Sequence, residues 1–225
     1  MKDLPLWLFV IFASGNLLAV GKSWKRLEYF TKPAAILALI AWVWNASRFQ
    51  GQTAWFAVGL VFSLAGDILL ILPRERFIAA WLAFLLAYAA YILGLNQTFP
   101  PINLPSLLLL ITVSLVAIRL ARIILAGLRS SGSTELQFPI AAYSLVISAL
   151  LLSALLPMVR ADWLEGHALM VSAGGILLFI SDAVLALHRF VAPIRRNALI
   201  VMSTYHLGQV FIITGACLHY ILPSL

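Results

Sequence analysis

The sequence predicts an all-helical membrane protein, a bundle of eight transmembrane helices forming one integral domain. Three observations predict it. Of 225 residues, 63% are apolar and 10% are charged, with a mean hydropathy of +1.03. A soluble domain carries about 25% charged residues. The apolar residues are gathered into runs of the length that crosses hydrocarbon, about 20 residues each. The basic residues are gathered mostly between those runs. The composition excludes a soluble enzyme, a disordered chain and a coiled coil. Orientation in the membrane accounts for the net charge of +7, so no nucleic-acid partner is expected.

The spans follow in order. The first is 4–20. Its basic residues come after the apolar run, the reverse of a signal peptide, so it is counted as a helix. The second is 33–47, short unless extended back through Pro33, which suits a first helical turn. Lys32 then sits at the interface, its stem along the helix and its ammonium among headgroups. The third, 54–72, stops at Pro73, and the fourth is 77–95. Pro105 and Pro139 open the fifth and sixth, 105–125 and 139–157. Asp162 and Glu165 have capping-box spacing before the seventh, 166–187. Pro193 precedes the eighth, 197–221. The connections are brief, so no extramembrane domain is expected, and the chemistry lies in or at the bilayer.

Counting Lys and Arg orients the bundle. The odd-numbered connections hold Lys22, Lys25, Arg26, Lys32, Arg74, Arg76, Arg119, Arg122, Arg129, Arg189, Arg195 and Arg196, twelve of the fifteen. Lys2, Arg48 and Arg160 lie on the other side. The odd connections are therefore expected in the cytoplasm and both termini opposite. A bacterial inner membrane suits such a protein, with the endoplasmic reticulum as the eukaryotic counterpart. The seven tryptophans read mostly as interface anchors.

An internal repeat is expected between 1–95 and 105–225. Gly66-Asp67-Ile68-Leu69-Leu70 in the third span matches Ser181-Asp182-Ala183-Val184-Leu185 in the seventh, at an offset of 115 residues. Tyr91 to Gly94 in the fourth span matches Tyr205 to Gly208 in the eighth.

Asp67 and Asp182 are the acidic residues set within spans. Each lies six residues before a basic edge, about 9 Å deep at 1.5 Å per residue. An intramembrane carboxyl is costly and marks a candidate functional site. Ser63 and Gly66 share a face with Asp67, and Gly174 and Gly175 lie below Ser181 and Asp182. Small residues at this spacing bring membrane helices close. Both carboxyls are expected to face the interior and each other. Two carboxyls that close share one proton, giving a general acid beside a general base. Structural hydrogen bonding, or pairing with Arg74 or Arg189, is the competing explanation. Tyr88, Tyr91, Tyr205, His206 and Gln209 supply further polar groups in the fourth and eighth spans. Asn16 and Asn45 suit interhelical hydrogen bonds. No Cys/His cluster has metal-ligand spacing, and no phosphate-cradling or nucleophile-elbow motif occurs.

The stretch from Phe62 to Leu70, the stretch from Phe84 to Tyr91, Leu178-Phe179-Ile180-Ser181-Asp182, Tyr205-His206-Leu207-Gly208-Gln209 and the pair Lys32-Pro33 together resemble the YhhN-type lysoplasmalogenase family. The resemblance covers essentially the whole chain. One departure is Tyr88, where the family commonly carries a histidine. The resemblance implies hydrolysis of the vinyl ether bond of a lysoplasmalogen to a fatty aldehyde and a glycerophospho-ethanolamine or -choline. Asp67 and Asp182 suit that chemistry, which needs a neutral acid and an anion and no metal or organic cofactor. The expected partners are the lysophospholipid and membrane lipids. The phosphate is expected near Lys32, Arg74 or Arg189, and the alkenyl chain between helices. Ser63, Tyr88, Tyr91, Ser181, Tyr205, His206 and Gln209 complete the expected substrate site. The alternative is a proton-coupled transporter of a lipid or small metabolite using the same aspartates.

Overall fold

A computed structural model describes residues 3–72, 76–132 and 134–221. Among them are eight helices long and apolar enough to cross a membrane, and no strand. They are α1 (Leu4–Gly21), α2 (Lys25–Ser47), α3 (Thr53–Ile71), α4 (Phe77–Leu95), α5 (Leu104–Ser130), α6 (Gln137–Leu155), α7 (Glu165–Phe190) and α8 (Asn197–Ile221). Single 3₁₀ turns precede and follow α6. The chain divides into two compact units, one of residues 1–97 with 213–225, the other of residues 98–212.

In the first unit, consecutive helices pack pairwise. Asn16 on α1 donates to Thr31 Oγ1 on α2 at 3.3 Å, the interhelical bond expected of it. Asn45 instead lies exposed. Helices α3 and α4 interlock by size. Gly66 leaves room for the Phe84 ring, and Gly94 leaves room for Phe56. Phe56 also stacks on Tyr91 with centroids 5.9 Å apart. The end of α8 is tied in by Tyr220, whose hydroxyl donates to Gly94 O at 2.9 Å.

Helix α2 corrects the expected second span. It begins at Lys25, eight residues before Pro33, and Pro33 lies inside it. Polar Lys25, Arg26 and Glu28 made this stretch read as a loop. They form a helical turn, with Lys25 and Glu28 ion-paired at 3.0 Å. Proline is tolerated inside membrane helices where nearby hydroxyls satisfy backbone groups. Here Thr31 Oγ1 donates to Leu27 O at 2.7 Å.

In the second unit, α6 packs on α7 and α5 touches both. Ser172 on α7 donates to Ala154 O on α6 at 2.9 Å. The end of α7 is closed by His188, whose Nδ1 accepts from Ile194 N at 2.8 Å. The expected capping box is absent. Leu164 is the N-cap residue and no side chain caps the helix. Buried Trp163 leaves Asp162 facing Arg160, 3.7 Å away. Arg160 is itself buried and donates to Thr98 O at 2.8 Å and to Thr98 Oγ1. Helix α5 runs five residues past the expected end, carrying Arg119, Arg122 and Arg129 on its exposed surface.

Apolar side chains such as Trp7, Leu107, Ile111 and Leu115 lie exposed. In water such a surface would aggregate. Hydrocarbon is its natural solvent. Four tryptophans (Trp7, Trp24, Trp44 and Trp55) are exposed, whereas Trp42, Trp81 and Trp163 are buried core residues.

Close packing of small residues in the second unit has a measurable consequence. A Cβ on Gly174 would stand 2.6 Å from Ile212 N and 2.9 Å from Gly208 O, both backbone atoms of α8. Backbone cannot move aside as a side chain end can. Gly174→Ala is therefore expected to destabilise the protein by about 1–3 kcal/mol, the range for overpacking. Gly166→Ala, with nothing near its Cβ, serves as the neutral control. Thermal unfolding in one detergent compares them.

Candidate active site

The candidate residues fall into two groups, one in each unit. In the first, Asp67 sits on α3 four residues before the helix ends, completely buried. Lys32 stands on α2, seven residues in from its start. Chain direction reverses between α2 and α3, so the start of one and the end of the other lie at the same depth. Lys32 Nζ is 3.1 Å from Asp67 Oδ1, and 3% of the lysine is exposed. This corrects the expected position of Lys32. Its ammonium lies in the protein interior on a carboxylate, about 10 Å along the helix from its first residue, and not among headgroups. Neither Arg74 nor Arg189 is needed to explain the Asp67 charge. Arg74 lies outside the described residues.

Burying two charges costs several kcal/mol each, offset only by close pairing and further hydrogen bonds. At 3.1 Å the ammonium stabilises the ionised carboxyl. Ser63, one turn before Asp67, is buried beside it on the same helix. Tyr88 and Tyr91 are buried on α4. Phe84 and Tyr88 stack along one face with centroids 6.4 Å apart.

In the second group, Asp182 sits on α7, eight residues before its end, and is partly buried. Tyr143 Oη donates to Asp182 Oδ2 at 2.7 Å. Tyr143 is buried on α6, six residues after that helix starts. The sequence reading did not single it out. The signal was there, because α6 and α7 run oppositely and residue 143 shares the depth of residue 182. A phenol at the level of an intramembrane carboxyl is the partner to look for first.

Ser181 Oγ donates to Val201 O on α8 at 3.1 Å. Tyr205, His206 and Gln209 are buried on α8, and the Tyr205 and His206 ring centroids are 5.5 Å apart. Arg189 is exposed in the last turn of α7. Among the described residues, no three His, Cys, Asp or Glu side chains come together to hold a metal ion.

The model of the YhhN family matches residues 27–216. The chain belongs to the YhhN family. Among YhhN relatives, the human protein named lysoplasmalogenase TMEM86B is 31% identical over 194 residues, covering 85% of this chain and 77% of that protein. Its pig counterpart is 29% identical over 177 residues, 79% of this chain and 70% of that protein. An Escherichia coli O157:H7 relative, named an uncharacterized membrane protein YhhN, is 28% identical over 228 residues, 92% of this chain and 97% of its own. No solved structure matches. With its eight helices long and apolar enough to cross a membrane, this YhhN chain is an integral, multi-pass membrane protein.

Proposed function

We propose that this YhhN protein hydrolyses the vinyl ether bond of lysoplasmalogens, with Asp67 and Asp182 as its reacting carboxyls. The observation that carries the reading is the 31% identity to a protein named lysoplasmalogenase across 85% of this chain. The two carboxyls support it chemically. Hydrolysis begins when a neutral acid gives its proton to the alkene carbon distal to oxygen. The alkene electron pair forms the new C–H bond and leaves an oxocarbenium ion, a cation that an anion stabilises. The conjugate base takes a proton from water as the water oxygen adds to the cationic carbon. The hemiacetal then collapses, its hydroxyl proton passing to the glycerol oxygen as that C–O bond breaks. The acid is restored, and no metal or organic cofactor enters.

The substrate enters from the cytoplasmic leaflet in this reading. With Lys32 assigned to Asp67, eleven basic residues remain in the odd connections or in the helix halves next to them, against three opposite, and the positive-inside rule favours the cytoplasm for those connections. Exposed Arg189 and its basic neighbours suit the lipid phosphate.

The test is aldehyde release by purified protein in detergent. Lysoplasmenyl-ethanolamine and -choline are offered beside the saturated alkyl-ether and acyl lysolipids. Aldehyde from a vinyl ether lipid alone is the expected result. No aldehyde from folded protein with either headgroup contradicts the proposal, and proton-coupled flux in vesicles then becomes the leading reading.

A further inference from the structure

We infer that α5 carries a docking site for one anionic phospholipid of the surrounding membrane, its phosphate held by Arg119 and Arg122 and an acyl chain laid along Leu115. The inference is independent of the proposed hydrolysis and concerns the second unit alone.

Helix α5 has two unlike faces. Val113, Ile124 and Leu128 are its buried residues, and at about 100° per residue they share one side. Leu108, Ile111, Leu115, Arg119, Arg122 and Arg129 recur at spacings of three, four or seven, which puts them together on the opposite side. All six are exposed. This stripe is apolar up to Leu115 and basic from Arg119 onward. A groove of about 490 Å³ lies where it changes, lined by Leu115, Ile118, Arg119, Arg122 and Ile123. An apolar wall continued by two cations matches a phospholipid read from chain to headgroup.

Charge selects the class of lipid. Among the described residues, neither Arg119 nor Arg122 forms an ion pair. Arg119 stands fifteen residues beyond Leu104, about 22 Å along a helix that crosses about 30 Å of hydrocarbon. A charge at that depth is costly without a partner, and the long side chain reaches outward to find one. A guanidinium matches two phosphate oxygens at once. Two guanidiniums one turn apart exceed the charge of one phosphodiester. The ammonium of a zwitterionic headgroup would add to that excess, whereas a lipid of net negative charge balances it. A second copy of this chain docked symmetrically on the same face would set arginines against arginines.

Native mass spectrometry of the full-length protein in mild detergent tests this, with dioleoyl-phosphatidylglycerol and dioleoyl-phosphatidylcholine offered at equal concentration. One phosphatidylglycerol retained per chain, in preference to phosphatidylcholine, is the expected result. Arg119→Gln/Arg122→Gln is expected to raise the apparent Kd for phosphatidylglycerol about thirtyfold, the equivalent of about 2 kcal/mol for two basic residues. Lys22→Gln/Arg26→Gln removes the same charge at the α1–α2 junction and is expected to leave that Kd in place. Glycerol 3-phosphate, a phosphate without chains, is expected not to compete. Equal retention of the two lipids, equal loss in both double variants, displacement by glycerol 3-phosphate, or a lipid-free dimer overturns the inference. The lipid comparison on wild type needs no variant, so a poorly folded arginine variant leaves the test decisive.

Discussion

Asp182→Asn is expected to lower aldehyde release by a factor of about 10²–10⁴, the usual contribution of a general acid, with the protein still folded. Asparagine is nearly isosteric with aspartate and keeps an amide oxygen to accept the Tyr143 hydroxyl, so the α6–α7 contact survives. What it loses is a group able to exchange a proton in the proposed hydrolysis. The measurement is kcat on a lysoplasmenyl lipid, with thermal unfolding in the same detergent to confirm folding. Near wild-type turnover by a folded Asp182→Asn protein would remove Asp182 from the chemistry.

The second large effect concerns stability. Lys32→Met is expected to destabilise the protein by about 3–5 kcal/mol, because it leaves the buried Asp67 carboxylate without its ammonium. Asp67→Asn has the mirror problem, stranding the ammonium. Its loss of activity is therefore interpretable only beside its stability. The double variant Lys32→Met/Asp67→Leu replaces both charges with apolar side chains and is expected to recover most of the lost stability, since well-packed apolar pairs often match buried ion pairs. It is expected to recover no activity. Thermal unfolding of the two single variants and the double variant gives the coupling directly. Purely additive effects would show that the 3.1 Å contact contributes little to the fold.

These two expectations depend on partners that the sequence disclosed unevenly. Hydropathy located every span because a bilayer forces backbone hydrogen bonds into helices, and few other structures can satisfy them there. Helix ends were less legible. Reading Pro33 as a helix start left Lys32 at the interface, when seven further residues of helix carry it inward. Amphipathic Lys25–Glu28 and the arginines late in α5 look like loop by hydropathy. They are helical because backbone pairing does not require an apolar side chain once the helix emerges from hydrocarbon. The aspartates stood out because isolated charges in apolar runs are expensive. Their partners were harder to see. Tyr143 is one aromatic among 12% of the chain, and only the antiparallel register of α6 and α7 gives it meaning. Ser63 and Ser181 were legible from their spacing to the aspartates. The Ser181 bond to Val201 O depends on how α8 approaches α7, which no local pattern encodes.

Two like aspartates at an offset of 115 residues suggested two like carboxyls sharing a proton. Each meets a side chain of the preceding helix, the Lys32 ammonium at Asp67 and the Tyr143 phenol at Asp182.

Isotope placement tests whether the reaction starts with proton transfer to the alkene carbon distal to oxygen. Hydrolysis is run in D₂O, and the aldehyde is reduced at once to prevent exchange. The expected product carries one deuterium on the carbon next to the former aldehyde carbon, and its formation by wild type is lost with Asp182→Asn. Aldehyde carrying no deuterium at that carbon would contradict it, since the vinyl ether would then have opened by a route without carbon protonation.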